Sequence, residues 1–303
     1  MTDFKNQPQQ GQVIASFGRR HEVRASDGNV WNCVRRGRQQ DVACGDRVQF
    51  NISGNAEGVI ESVLQRETVL YRSDAHRQKI FAANVHLAGI VVSGLPRYRE
   101  NLLTRCLAAA SAANIAALIV CNKQDLAETQ AIASELNYYR DLGIEVMTLS
   151  AKHSVAELTT RLTGEDSIFV GESGMGKSTL VNALLPEAHS RVGALSSSSD
   201  TGTHTTTASR RYAFFSGGSI TDSPGMQVFG LQHLDKQQIE AAFPEFADAM
   251  GACRFNDCNH QLEPGCAFKE KANLHTQSAK RLEWLKEILD ENARLAPWER
   301  KKP

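Results

Sequence analysis

A glycine-rich segment that ends in lysine and serine carries the strongest chemical signal in this sequence. Residues 171–178 fit the pattern G-x-x-x-x-G-K-S, directly after an apolar run and before a helix predicted over 178–185. Such a backbone curls so that its N–H groups point at phosphate oxygens, and the helix start adds the positive end of its dipole. Lys177 would reach the β- and γ-phosphates, and Ser178 would ligate Mg²⁺. The predicted phosphate-binding residues are Gly171, Glu172, Ser173, Gly174, Met175, Gly176, Lys177, Ser178 and Thr179.

Two further motifs predict which base the nucleotide carries. Asn122-Lys123-Gln124-Asp125 follows an apolar strand, and Ser150-Ala151-Lys152 follows another. A carboxylate at Asp125 can accept hydrogen bonds from N1–H and the 2-amino group of guanine, which adenine does not offer. N-K-x-D alone fits a surface turn equally well. Because all the motifs end predicted strands, where open α/β sheets bind ligands, they favour GTP and GDP over an ATPase or small-molecule kinase.

A third element completes a nucleotide switch. Asp222-Ser223-Pro224-Gly225 fits D-x-x-G after a predicted strand at 218–220, with Asp222 near Mg²⁺ and the Gly225 N–H available to the γ-phosphate. A long polar loop over 190–207 precedes it, and one of the threonines in 201–207 would close on Mg²⁺. Met226 stands where many GTPases have a water-orienting glutamine, so the basal hydrolysis rate should be low.

The order of these motifs is unusual. The base-reading residues 122–125 precede the phosphate loop 171–178, whereas an ordinary GTPase begins with its phosphate loop. The parts are complete but rotated in sequence, which predicts a circularly permuted domain. Rotation is tolerable because domain termini often lie close together at the surface.

A cluster of metal-ligand types lies further along the chain. Cys253, Cys258, His260 and Cys266 fall within 14 residues and match a closed, four-coordinate structural zinc site. The spacing is not that of a common zinc finger, and free thiols are the alternative. Without a Cys-x-x-Cys pair, a redox site is disfavoured. Zinc would here hold a loop with too few apolar residues to fold alone.

The elements that must position these residues divide the chain into three parts. Short strands separated by turns over about 11–65 predict a five-stranded barrel, with an OB-fold favoured and an SH3-like barrel as the alternative. Residues 67–79 form a charged connection. Apolar strands alternating with helices from about residue 80 predict a parallel sheet covered on both faces. A helix over 277–295 places leucines and an isoleucine on one packing face, and a basic tail follows it.

Composition bounds the classes of function. The 303 residues include 34 Lys+Arg and 34 Asp+Glu, yet six arginines (Arg19, Arg20, Arg24, Arg35, Arg36, Arg38) fall in one N-terminal stretch. A solvated surface is one interpretation, and a polyanionic partner is the favoured one. No run reaches the roughly 20 apolar residues of a membrane span, so we expect a cytoplasmic protein without membrane contact. Cys106 and Cys121 lie in apolar sequence and should be buried.

Together these residues resemble the RsgA (YjeQ) family of circularly permuted GTPases, over nearly the whole chain. The resemblance implies an N-terminal OB-fold-like barrel (1–68), a permuted α/β P-loop GTPase domain (69–232) and a C-terminal helical zinc-binding domain (233–303). It implies GTP hydrolysis that times a late step in assembly of the small ribosomal subunit, with that subunit and its rRNA as partners of a monomer. A GTP-gated rRNA-binding module with incidental hydrolysis is the alternative function.

The resemblance also suggests a catalytic residue. His204, in the long polar loop, would position the attacking water in place of the missing glutamine. A solvated loop histidine is the alternative, and Gln227 is a second candidate, one residue out of register.

Overall fold

The computed structural model describes residues 8–36, 41–74, 77–185, 209–214, 216–222 and 231–294. Strands at the N-terminus, a mixed sheet with helices in the middle and helices at the C-terminus follow one another along the chain. None of the helices in these described ranges is long and apolar enough to cross a membrane. Cys106 and Cys121 are both buried, as predicted.

The N-terminal strands close into a barrel. They are β1 (Gln9–Phe17), β2 (Arg20–Ala25), β3 (Val30–Arg35), β4 (Arg47–Gly54) and β5 (Glu57–Val63). The order around the barrel is β1-β2-β3-β5-β4, and β4 returns to pair with β1. All pairs are antiparallel except β3 with β5. This connectivity is that of an OB-fold and confirms the favoured prediction over the SH3-like alternative.

The barrel has a hydrophobic core of its own. Alternate residues point inward, as period-2 strands require, and Val23 on β2 and Phe50 on β4 are both completely buried. Gly11 on β1 allows the strands to approach closely, since a Cβ there would lie 2.6 Å from Val23 Cγ1. This cluster is separate from the larger core that fills the rest of the described chain.

A hairpin follows the barrel where the sequence predicted only a charged connection. Its strands are β6 (Val69–Asp74) and β7 (Arg77–Ala83). Leu70 and Phe81 are buried and anchor the base of the hairpin in the large core. The sequence analysis missed the two strands because charged residues interrupt their short apolar stretches.

The middle of the chain forms an α/β domain. Its strands are β8 (Leu87–Val92), β9 (Ala116–Cys121), β10 (Glu145–Thr148), β11 (Asp166–Val170), β12 (Ser209–Ala213) and β13 (Ser219–Asp222). They lie in the order β10-β9-β8-β11-β13-β12, and only β12 runs antiparallel to its neighbour in this domain. The predicted parallel sheet is therefore confirmed, with one antiparallel strand at its edge.

Helices cover this sheet. They are α1 (Glu100–Ala112), α2 (Ala127–Ala133), α3 (Asn137–Asp141), α4 (Ala156–Leu162) and α5 (Lys177–Leu184). A turn separates α2 from α3. Leu136 in this turn and Tyr139 on α3 are both completely buried in the core.

The barrel and the α/β domain share a sheet. Strand β12 pairs with β1 in antiparallel register, Ala15 opposite Arg210 and Ser16 opposite Ser209, so that eleven strands are continuous. We call this contact the edge joint. The sequence order placed the barrel far from the Asp222 switch, but the edge joint brings it to the strand that pairs with β13.

The C-terminal segment (231–294) is helical. It contains α6 (Lys236–Ala241), a 3-10 helix (Pro244–Ala249), α7 (Ala267–Ala272) and α8 (Thr276–Arg294). Leu282, Leu285 and Ile288 on α8 are buried, which confirms the predicted packing face. They belong to the same core cluster as the apolar residues of the α/β domain.

Candidate nucleotide site and metal centre

The predicted phosphate loop connects β11 to α5, as the sequence required. Its glycines are at φ values that other residues rarely adopt: +140° for Gly171 and +90° for Gly176. A Cβ on Gly171 would lie 2.4 Å from Val91 O, and a Cβ on Gly176 would lie 2.4 Å from Asn122 Nδ2. Both close approaches hold the loop against the neighbouring strands, so a larger residue at either position would push it out of place.

The lysine of the loop lies across it. Lys177 Nζ donates to the backbone oxygens of Gly171 and Glu172, each at 2.6 Å. Burial lowers the pKa of Lys177, and the nearby charge of Asp222 acts in the opposite direction. The amine is therefore held within the loop by carbonyl groups, in a position where an anion could replace them as its partner.

The base-reading segment is joined to the phosphate loop by Asn122. This side chain is 2 % exposed; its Nδ2 donates to Met175 O at 3.0 Å, and its Oδ1 accepts from Ala151 N at 3.0 Å. One buried amide thus joins three of the four nucleotide motifs: its own segment, the phosphate loop and the segment 150–152. It fixes the spacing between the phosphate end and the base end of the site.

Lys123 makes a second connection. Its Nζ donates to Leu95 O and to Gly174 O, each at 2.6 Å. Its backbone φ of +64° is strained for a residue with a side chain, and such strain concentrates at functional sites. The Leu95 carbonyl was not predicted from the sequence, because nothing in the pattern of 93–99 indicates a partner for Lys123.

Asp125 is exposed and oriented by its neighbour. Ser150 Oγ donates to Asp125 Oδ1 at 2.6 Å, and this hydrogen bond is the main cause that lowers the pKa of Asp125. The carboxylate is therefore ionised at neutral pH and has acceptor positions left for a ligand. Gln124 and Lys152 flank it at the surface.

The remaining predicted nucleotide residues divide into described and undescribed positions. Ser178 and Thr179 are exposed on the first turn of α5, and Ser173 is exposed in the loop. Asp222 ends β13, the strand next to β11. Gly225 and His204 lie outside the described residues, as do Met226, Gln227, the threonines of 201–207 and the basic tail.

The four predicted metal ligands converge on one point. Their ligand atoms all lie within 4.8 Å of one another. Cys253 Sγ is 3.9 Å from Cys266 Sγ, and His260 Nδ1 lies 3.7 Å from Cys258 Sγ and 3.3 Å from Cys266 Sγ. Tetrahedral coordination with Zn–S bonds of 2.3 Å sets sulfur atoms about 3.8 Å apart. The donor set and its spacing therefore fit a zinc ion.

The environment of His260 supports the same assignment. Its Nε2 lies 2.8 Å from Glu240 Oε1, which leaves Nδ1 facing the cysteines. A carboxylate on the outer nitrogen is the usual second partner of a metal-binding histidine. Phe268 stacks on the ring with centroids 4.0 Å apart. Glu240, on α6, was missed in the sequence analysis because it lies outside the cluster of ligands and carries no spacing signal.

Comparisons with known proteins agree with this geometry. A family model described as RsgA GTPase matches residues 63–232. A protein of Neisseria meningitidis serogroup C (strain 053442) named small ribosomal subunit biogenesis GTPase RsgA is 44% identical over 280 residues, 92% of this chain and 91% of the relative. The protein of that name from Nitrosospira multiformis is 42% identical over 277 residues, 91% of this chain and 88% of the relative.

Two solved structures share the whole architecture. YjeQ from Thermotoga maritima superposes with a TM-score of 0.70 at 26% identity, covering 96% of this chain and 100% of that one. YloQ, described as a circularly permuted GTPase, superposes with a TM-score of 0.68 at 24% identity, and the match covers 97% of this chain and 100% of YloQ. This second likeness concerns the fold. The predicted rotation of the motifs and the fold class are confirmed. This chain therefore belongs to the RsgA GTPase family and is a GTPase.

Proposed function

We propose that this GTPase binds GTP and GDP in the site built around Asn122, and that hydrolysis times a late step in assembly of the small ribosomal subunit. The main support for a nucleotide site here is the buried Asn122 amide, which links the phosphate loop, the N-K-x-D segment and Ala151. The ribosomal role is supported by the name that relatives at 44% identity carry.

Base specificity is assigned to Asp125. Its ionised carboxylate, oriented by Ser150, would accept from N1–H and the 2-amino group of guanine. Asp125→Asn should therefore weaken GDP binding about tenfold or more. It should also strengthen binding of xanthosine diphosphate, whose 2-oxo group accepts from an amide. Asp141→Asn, an exposed aspartate at the end of α3, is the matched control. Equal losses for both nucleotides would reject the assignment.

Magnesium would be held by Ser178, on the first turn of α5, and by Asp222, at the end of β13. When bound, it would neutralise charge on the phosphate oxygens. The chain's own contribution is positioning: Lys177 lies within the loop, where burial lowers its pKa and the charge of Asp222 partly offsets that effect. Asp222→Asn should lower the Mg²⁺ dependence of GTP affinity, measured by titrating Mg²⁺ against fluorescent GTP.

The catalytic residue that we propose is His204, which would position the attacking water. Support comes from Met226, which cannot orient water as a glutamine does. His204→Ala should lower hydrolysis stimulated by small subunits while leaving nucleotide affinity nearly intact. Gln227→Ala tests the second candidate and should leave stimulated hydrolysis nearly unchanged. Unchanged stimulated turnover in His204→Ala would reject the role.

Structural zinc is proposed at Cys253, Cys258, His260 and Cys266. Metal analysis of purified protein should give one zinc per chain, and Cys258→Ser should lower that content. Zinc would supply folding free energy to residues 253–266, because this loop contributes few apolar residues to the core. Cys44→Ser, at a buried cysteine of the barrel, is the control, and equal zinc contents in the two variants would reject the site.

The partner surface is proposed on the barrel. Arg19, Arg20 and Arg24 are exposed there, and arginines of this kind neutralise RNA phosphates. We propose a cytoplasmic monomer with domain boundaries at 68 and 232.

The decisive experiment is co-sedimentation with small subunits. Binding with a non-hydrolysable GTP analogue and release with GDP are expected, and equal binding in both states would contradict timing by hydrolysis. Strong stimulation of hydrolysis by subunits would separate this function from an RNA-binding module with incidental hydrolysis.

A further inference from the structure

The phosphate loop carries an acidic residue, and the structure shows where its charge goes. Glu172 is the first variable position of G-x-x-x-x-G-K-S, next to the groups that would hold anionic phosphates. A carboxylate there opposes phosphate binding unless its charge is balanced. Its side chain is only 15% exposed, so solvent screens it incompletely.

Arg99 provides that balance from the start of α1. The Arg99 backbone N–H donates to Glu172 Oε2 at 2.8 Å, and its guanidinium Nε donates to the other carboxylate oxygen. The carboxylate thus caps a helix whose N-cap side chain makes no capping bond of its own. The positive end of the helix dipole favours the same placement.

Lys177 is the alternative partner for this carboxylate. Lys177 Nζ already donates to the Glu172 backbone oxygen at 2.6 Å, and the Glu172 charge acts to raise the Lys177 pKa. Without the Arg99 guanidinium, the charge of the carboxylate would be left unbalanced beside Lys177, with which it already interacts electrostatically. It would then compete with nucleotide phosphates for Lys177.

We infer that Arg99 is a positioning residue for nucleotide binding: it holds the Glu172 carboxylate at the start of α1 and so keeps Lys177 free for phosphate. The inference rests on the proposed nucleotide site. It concerns a residue outside every motif that the sequence analysis identified, since Arg99 lies 72 positions before the phosphate loop. Only the tertiary structure brings the two together.

The test is a double-mutant cycle read by the dissociation constant of fluorescent GDP. Arg99→Ala should weaken binding about three- to fivefold, near the upper limit for a partly exposed ion pair. The backbone N–H that caps against Glu172 is retained, so the helix start is preserved. In the Glu172→Gln background, where the charge is absent, Arg99→Ala should change affinity less than about twofold. Arg97→Ala, which removes a similar exposed pair with Glu135 at 2.7 Å, is the matched control and should have no effect.

Two additional measurements distinguish positioning from a structural role. Arg99→Lys should restore most of the affinity, and the loss in Arg99→Ala should shrink at 1 M salt, where the Debye length is about 3 Å. The inference would be overturned if Arg99→Ala weakened GDP binding equally in the wild-type and Glu172→Gln backgrounds, or if it did not weaken binding at all. Failure of the wild-type protein to bind fluorescent GDP would instead overturn the proposed nucleotide site.

Discussion

The two regions that flank the α/β domain are attached to it in different ways. The barrel keeps a separate hydrophobic core and meets the rest of the chain through polar contacts. These are the backbone pairing and the Arg210–Glu22 ion pair at the edge joint, and the hydrogen bonds of the loop before β4, where Ala83 N donates to Cys44 O and Asn84 Nδ2 donates to Gly45 O. The C-terminal segment shares one continuous core with the α/β domain. We therefore expect the barrel to unfold separately from the α/β domain, and the C-terminal segment to unfold together with it.

The contacts of α8 on α1 illustrate the second kind of attachment. Arg281 is 1% exposed, forms an ion pair with Glu245 and donates to Thr104 Oγ1 at 3.3 Å. Its guanidinium lies 5.6 Å from the ring centroid of Tyr139 on α3. Next to Thr104 on α1, Arg105 Nη1 donates at 2.8 Å to Oε2 of Glu291, near the end of α8. We call these contacts the helix seam.

The largest expected effect comes from breaking the helix seam. Arg281→Ala should destabilise the protein by about 3–5 kcal/mol, because it leaves the Glu245 carboxylate buried without its partner. The C-terminal segment and the α/β domain should lose stability together, with a single lowered transition in urea. Lys271→Ala, which removes an exposed pair with Asp248, is the control and should cost less than about 1 kcal/mol. Separate transitions for the two regions would contradict a shared core.

A cavity in the barrel core should destabilise the barrel without unfolding the α/β domain. Phe50→Ala removes a completely buried ring and should cost the barrel about 3–5 kcal/mol. Trp31, whose ring centroid is 6.3 Å from that of Phe50, reports on barrel unfolding by its fluorescence. GDP affinity should persist after the barrel has melted. Simultaneous loss of nucleotide binding would show that the cores are coupled more tightly than their separation suggests.

Acid provides a smaller perturbation at the entry to the C-terminal segment. Burial lowers the pKa of His233 to about 4, and its ring lies 4.3 Å from that of Tyr71 on the hairpin. The folded state therefore binds this proton less readily than the unfolded state does. Stability should fall as pH drops from about 6.5 towards about 4, by at most about 1.4 kcal/mol per pH unit. His233→Phe should flatten that part of the profile; an unchanged profile would contradict the role of His233.

The smallest effect is expected at the edge joint. Arg210 forms an ion pair with Glu22 across it at 3.0 Å, and both side chains are partly exposed. Arg210→Ala should cost about 0.5–1 kcal/mol, with faster hydrogen exchange in β1 and little change in overall unfolding. Arg24→Ala, an exposed arginine on β2, controls for general charge loss. If exchange in β1 were unaffected, the side-chain pair would contribute nothing to the joint.

Sequence reasoning predicted the placement of residues best where a motif is local. The loop 171–178 connects β11 to α5, residues 122–125 follow β9, and the four cysteine and histidine side chains converge, as the sequence predicted. Their binding roles stay predictions. Leu282, Leu285 and Ile288 were found for the same reason, because a packing face repeats at helical spacing.

Long-range partners could not be found in that way. The Arg99–Glu172, His260–Glu240 and Arg281–Thr104 contacts join residues on different elements, and no periodicity links them. The pairing of β12 with β1 likewise depends on which edge of the barrel meets the sheet. The barrel strands are far from Asp222 in the sequence, but β12 pairs with both β1 and β13 and so brings the barrel next to the strand that ends at Asp222.

Hydrogen exchange with and without GDP tests the difference between the two attachments most directly. Some backbone amides exchange only when the region that holds the nucleotide site unfolds. GDP at about 100 times its dissociation constant should slow the exchange of these amides about 100-fold. We predict that the buried amides of α8 gain this protection together with those of β11, while β2 and β3 of the barrel do not. Protection of the barrel strands equal to that of α8, or none in α8, would contradict the account.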